Sequence, residues 1–245
     1  GAGQPLIILH GLFGFSDNWQ SQAKKLAEYY HVILVDLRNH GRSPWSDEFS
    51  YDLMAQDILE LCQTLNLKGF ILAGHSMGGK VAINFAQNNE ELVEKLVVVD
   101  IGIKQYPMHH EHILAGIHAV DLLNISARKQ AETQLGAHID SEGVKQFLLK
   151  NLYWKEKGTL AWRMNVNVLE REMETILSAM NEVVVTVPTL FIRGAMSNYI
   201  LDDDIDDIDE LFIDSEFVTI DNAGHWVHAE ASHAFLESLL SFCLR

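Results

Sequence analysis

Six short runs of consecutive apolar residues limit what this chain can fold into more than any other feature. They lie at residues 5–9, 31–35, 69–73, 95–99, 189–193 and 217–220. None alternates apolar with polar positions, as a strand with one wet face would. Such runs suit strands covered on both faces, which is the habit of parallel sheets. Between them lie stretches with helical spacing, at residues 18–29, 51–65, 78–88 and 233–244. In the second of these, Leu53, Ile58, Leu61 and Leu65 share one face. The alternation predicts an α/β fold: a mostly parallel central sheet with helices on both faces, joined by right-handed crossovers.

One segment breaks the rhythm. Residues 104–184 show helical patterns near 109–120, 127–138, 141–152 and 166–180, with no buried strand, and 153–158 reads as a turn flanked by large aromatics. An insertion between two sheet strands predicts a helical cap (104–184) on a core made of residues 1–103 and 185–245. Caps of this kind shape a pocket and exclude water from it. At 245 residues the chain can bury a core of that size.

Composition narrows the classes of function. Apolar residues make up 48% and charged residues 21%, which is globular. The formal charge of −16 argues against nucleic acid, whose phosphates need a basic surface. Much of that charge sits in Asp202, Asp203, Asp204, Asp206, Asp207, Asp209 and Glu210, which reads as a solvated acidic face. The run lacks the Gly and closing Glu of a calcium loop. No apolar run approaches the roughly 18 residues needed to span a membrane, and no basic-then-apolar leader opens the sequence. The expectation is a soluble protein. Cys62 and Cys243 give no disulfide framework, which suits a reducing cytoplasm.

The chemistry concentrates in four places. Gly74-His75-Ser76-Met77-Gly78 follows one apolar run and opens a helix. A strand–turn–helix of this form lifts a serine hydroxyl above the sheet on a strained turn whose neighbours cannot carry bulky side chains. Ser76 is the candidate nucleophile. Two backbone N–H groups must face the oxyanion it would create. Met77 supplies one, and Leu12 in His10-Gly11-Leu12-Phe13-Gly14 supplies the other, with Phe13 as second choice. His225, in Asn222-Ala223-Gly224-His225-Trp226 after the last strand run, is the candidate general base, with His228 supporting its loop. For the acid, the usual slot two strands later holds Ser197. Asp100, at the end of the run 95–99, is therefore the first candidate, Asp202 and Asp203 are the fallback, and Ser197 is expected to hydrogen-bond Asp100 or His225. Phe13, Trp226 and Tyr199 are candidate pocket walls for short to medium acyl groups. The run Met108-His109-His110-Glu111-His112 has no obvious partner ligands, so neither a metal nor a cofactor is expected. A basic patch in the cap near Arg128 and Lys129 could offset the acidic surface for an anionic ester, although such a pair ordinarily solvates a helix face.

Taken together, Gly11–Gly14, Asp36–Ser43, Gly74–Lys80, Val98–Ile101 and Gly224–Glu230 resemble the YbfF-type bacterial esterases of the α/β-hydrolase superfamily, which are related to the abhydrolase-11 group. The resemblance implies the α/β-hydrolase fold and hydrolysis of small carboxylic esters and acyl-CoA thioesters without a cofactor. It also implies Asp100 as the acid of a Ser-His-Asp triad. It expects two strands ahead of residue 5 that the sequence given does not contain, and the segment between Asp100 and Ser197 departs from the family pattern. The same triad could serve a C–C bond hydrolase, a lactonase or a perhydrolase, and the fold alone could serve a ligand-binding protein.

Overall fold

The computed structural model describes residues 1–125 and 127–245. The first part of the chain runs β1 (Pro5–Leu9), α1 (Gln20–Leu26), β2 (His31–Val35), α2 (Tyr51–Leu65), β3 (Phe70–His75), α3 (Met77–Asn88) and β4 (Val93–Val99). Then come α4 (Glu111–Ala119), α5 (Arg128–Leu135), α6 (Glu142–Leu149), β5 (Leu152–Glu156), β6 (Thr159–Trp162), α7 (Val166–Arg171) and α8 (Met173–Leu177). The last part is β7 (Thr189–Gly194), α9 (Ile205–Leu211), β8 (Ser215–Ile220), α10 (Val227–Glu230) and α11 (Ser232–Cys243).

The six apolar runs pair as one sheet in the order β2-β1-β3-β4-β7-β8, every neighbour parallel. The absence of polar alternation now has its cause. Ile7, Leu9, Leu72, Val98 and Phe191 face one core with Ile58 of α2 and Val81 and Phe85 of α3. Leu6, Ile8, Ile71, Val97 and Ile192 face the other, with Leu26 of α1 and Phe235 and Leu239 of α11. Both sides of the sheet are dry, so both sets of alternate residues must be apolar. Cys62 and Cys243 are buried free thiols on α2 and α11. No helix among the described residues is long and apolar enough to cross a membrane.

Two expectations for the segment between β4 and β7 need correction. Residues 153–158 are not a simple turn: they lie within the antiparallel hairpin β5–β6, whose register pairs Leu152 with Trp162 and Trp154 with Leu160. Leu152, Leu160 and Trp162 are buried and Gly158 takes φ +87° at the tip. The expected helix 166–180 breaks at Glu172 (φ −94°, ψ 15°) into α7 and α8. The segment is tied to the rest of the chain by specific bonds. Asn151 Nδ2 donates to Phe13 O (2.7 Å), Asn165 N to Asn39 O (2.9 Å), and Tyr51 Oη to Ile176 O (2.6 Å). Lys80, buried on α3, donates through Nζ to Lys104 O and Ser178 O, gripping the segment at both ends.

Candidate active site

Parallel strands deliver their C-terminal ends to one edge, and the chemically capable residues emerge there. Leu9 pairs with Gly74 and His75 with Val99, so the turns after β1, β3 and β4 start side by side. Open α/β sheets bind ligands in this place. Ser76, directly after β3, holds φ 52° and ψ −122°, a conformation that costs a non-glycine residue about 1–3 kcal/mol. The flanking glycines make the turn sterically possible. A Cβ on Gly74 would lie 2.1 Å from Gly78 O, and one on Gly78 would lie 2.4 Å from His10 O. Gly78→Ala must therefore push α3 away from β1. Overpacking of this kind costs about 3 kcal/mol, or roughly 6–12 °C of Tm in a domain this size. A thermal melt that leaves Tm unchanged would contradict it.

The Ser76 hydroxyl donates to His225 Nε2 (3.0 Å), and His225 Nδ1 donates to Asp100 Oδ2 (2.8 Å). Asp100 has no exposed surface. Its carboxylate also accepts from Gly194 N (3.0 Å) and from Ser197 Oγ, so three donors satisfy it without water. The expected Ser197–Asp100 bond is present. Asp202, by contrast, pairs with Arg193 and its side chain is 84% exposed, and Asp203 is exposed; neither is among the partners of His225. Its loop is pinned from several sides. Gly224 N donates to Glu230 Oε2 (2.6 Å), Met196 N donates to Ala223 O (2.9 Å), and His75 Nε2 donates to the His225 carbonyl (2.8 Å).

The loop after β1 is fixed by two buried imidazoles that sequence reading passed over. His10 donates from Nδ1 to Gly11 O (2.8 Å) and accepts at Nε2 from Leu37 N (3.0 Å). His40 donates from Nδ1 to Arg38 O (2.9 Å) and accepts at Nε2 from Phe13 N (3.2 Å). Burial, with His10 acting also on His40, pushes them down to about 4 and about 3, so both are neutral, as accepting an amide N–H requires. The Phe13 amide is thereby used, which removes the second choice for an oxyanion donor. The Leu12 and Met77 amides have no acceptor among the described residues, and both residues line a small cavity of about 20 Å³ that reaches Ser76.

Comparison with known proteins places the fold in a family. Residues 4–123 match the family described as alpha/beta hydrolase fold. The chain is 38% identical over 252 residues to the sn-1-specific diacylglycerol lipase ABHD11 of Danio rerio, covering 99% of this chain and 79% of that one. It is 36% identical over 236 residues to Esterase YbfF of Escherichia coli, covering 96% and 91%. The chain belongs to the α/β-hydrolase family, in its YbfF-type branch. A solved structure titled Marine microorganism esterase superposes with a TM-score of 0.96 at 42% identity, covering 99% of this chain and 96% of that chain. This protein is a hydrolase of the carboxylesterase type.

In this hydrolase a cavity of about 50 Å³ opens at Ser76 and His225, lined by Phe13, Ile113, Val144, Phe147, Leu148 and Trp226 among others. Tyr199 stacks its ring on His225 at 4.0 Å and lines both the small cavity that reaches Ser76 and a pocket of about 380 Å³ shared with Ser197 and His225. His228 is stacked on Trp19 (4.0 Å) beneath the loop it was expected to support, and burial pushes it down to about 3. Arg128 donates to Leu149 O and Leu152 O, so it braces the hairpin rather than forming a basic patch with Lys129. His109 Nδ1 donates to Pro107 O (2.6 Å) and its Nε2 accepts from Tyr199 Oη (2.7 Å). No group of three or more His, Cys, Asp or Glu among the described residues could hold a metal ion.

Proposed function

We propose that this chain is a serine carboxylesterase for small to medium acyl esters, with acyl thioesters open to the same chemistry. The observation that carries the reading is the unbroken chain from Ser76 Oγ through His225 to the fully buried Asp100. His225 takes the Ser76 proton as the oxygen attacks the ester carbonyl. The Leu12 and Met77 amides hold the oxyanion, and His225 then protonates the leaving alcohol or thiol. Water, deprotonated by His225, attacks the acyl-enzyme and releases the acid. Asp100 fixes the imidazole with Nδ1 protonated and balances its charge when Nε2 is protonated too. Ser197 holds the Asp100 carboxylate in place.

Residues 104–184 act in this reading as a cap on a core of residues 1–103 and 185–245, because α4 and α6 contribute Ile113, Val144, Phe147 and Leu148 to the cavity over Ser76. Cavity walls without charge favour an apolar acyl chain. The two buried thiols are consistent with a cytoplasmic protein.

Hydrolysis of p-nitrophenyl esters of increasing acyl length tests the reading. Wild type is expected to turn over the shorter chains and Ser76→Ala none above the uncatalysed rate. Phe147→Trp, which fills the cavity, is expected to move the preference toward acetate. Equal turnover in wild type and Ser76→Ala would remove Ser76 as nucleophile, and no turnover in wild type on any chain length would remove the esterase assignment.

A further inference from the structure

Two imidazoles that line the cavity at Ser76 leave a ring nitrogen buried without a partner, Nδ1 of His110 and Nδ1 of His228. His10, His40, His75 and His225 each bond protein atoms through the ring, and His228 is held by face-to-face stacking on Trp19 at 4.0 Å. His110, which directly precedes α4, has no ring hydrogen bond and no face-to-face stack among the described residues. Its Nδ1 is buried without a partner, and neither ring nitrogen has a hydrogen bond among the described residues. The ring lies against His109 (4.0 Å) and edge-on to Phe13 (6.3 Å). It lines both the larger cavity and the smaller cavity that meet at Ser76.

A buried polar group left unpaired is costly, and native structures keep few of them without a use. Placed beside Phe13, Ile113, Phe147 and Leu148, a neutral imidazole is a polar handle on the apolar wall of the cavity. Ligand sites are commonly built this way, with apolar walls and a few polar groups that fix orientation. Burial and the nearby His109 push His110 down to about 3, so it is uncharged at neutral pH and offers one N–H donor and one acceptor nitrogen. An uncharged pair of that kind matches a hydroxyl, which both donates and accepts, better than a carboxylate or an ammonium.

We infer that His110 is a specificity-determining residue that hydrogen-bonds a hydroxyl near the scissile ester, making hydroxylated esters the preferred substrates. The inference rests on Ser76 as the nucleophile, and it goes beyond that reading by naming the substrate feature. The hydroxyl can belong to the alcohol part or to the acyl part, since His110 borders both cavities.

The test compares kcat/KM for propyl butyrate, glycerol monobutyrate and propyl 3-hydroxybutyrate. Wild type is expected to favour at least one hydroxylated ester by about tenfold over propyl butyrate, the size expected when a site loses a hydrogen bond to its substrate. The ester that gains identifies which part carries the hydroxyl. His110→Phe should bring the ratio to about one, and His110→Gln, which keeps a donor and an acceptor, should retain part of the preference. A wild-type ratio near one for both hydroxylated esters would overturn the inference even if no variant folded. A preference that survives in His110→Phe would overturn it as well. Ser76→Ala serves as the separate control: continued hydrolysis of all three esters there would remove the nucleophile assignment instead.

Discussion

Asp100→Asn is expected to lower kcat by about 10⁴-fold, the loss seen when a triad carboxylate is replaced by its amide elsewhere. The geometry explains why so small a change should matter. Asp100 Oδ2 accepts from both His225 Nδ1 and Ser197 Oγ, and Oδ1 accepts from Gly194 N. An amide that keeps its oxygen toward Gly194 must turn its NH₂ toward His225. The ring then accepts at Nδ1 and carries its proton on Nε2, pointing at Ser76. In that tautomer it cannot take the serine proton. KM should change little, because Asp100 is fully buried and does not line the cavity at Ser76. Steady-state kinetics on p-nitrophenyl butyrate check this, and near-normal kcat would show that another group supports His225.

Acidification is expected to unfold the protein near pH 5, well above the range in which carboxylates usually dominate. Burial pushes His10 down to about 4 and His40 and His228 to about 3, and it drives His75 in the same direction. In the unfolded chain each titrates near 6.5. Between these limits the unfolded state binds more protons, so stability is fully present above about pH 6.5 and falls as the pH drops toward 4. Each such histidine contributes roughly 1.4 kcal/mol per pH unit in that window. At pH 5 His10, His40 and His228 together forfeit about 6 kcal/mol, comparable to the whole stability of a typical domain. Circular dichroism melts from pH 8 to pH 4.5 would show it as a steep fall in Tm. An unchanged Tm between pH 7 and pH 5 would contradict the neutral, buried state of these rings.

Much of this was legible before any coordinates. The apolar runs located all six strands of the main sheet because a strand dry on both faces has no freedom to be polar. The glycines around Ser76 marked the turn because backbone contacts leave no room for a Cβ at Gly74 or Gly78. Asp100 could be named because Ser197 occupies the usual acid slot, and the structure joins those two residues by a hydrogen bond.

What stayed hidden depended on tertiary contacts. The hairpin β5–β6 carries a local signal, with Trp154 and Trp162 flanking Lys157-Gly158, but helical patterns on both sides masked it. The break at Glu172 has no glycine or proline to announce it. His10 and His40 look like ordinary loop histidines in sequence. Only the fold brings the Leu37 and Phe13 amides to their nitrogens. His110 sat in a histidine-rich run whose other members carry different environments, and only the cavities set it apart.

The account stands on Ser76 being the residue that attacks. Incubation with an alkyl fluorophosphonate, followed by intact mass and peptide mapping, tests this without a choice of substrate. The prediction is one phosphonyl group per chain, carried on Ser76, with esterase activity lost in proportion to labelling. Full labelling at another residue, or activity that persists after Ser76 is fully modified, would contradict it.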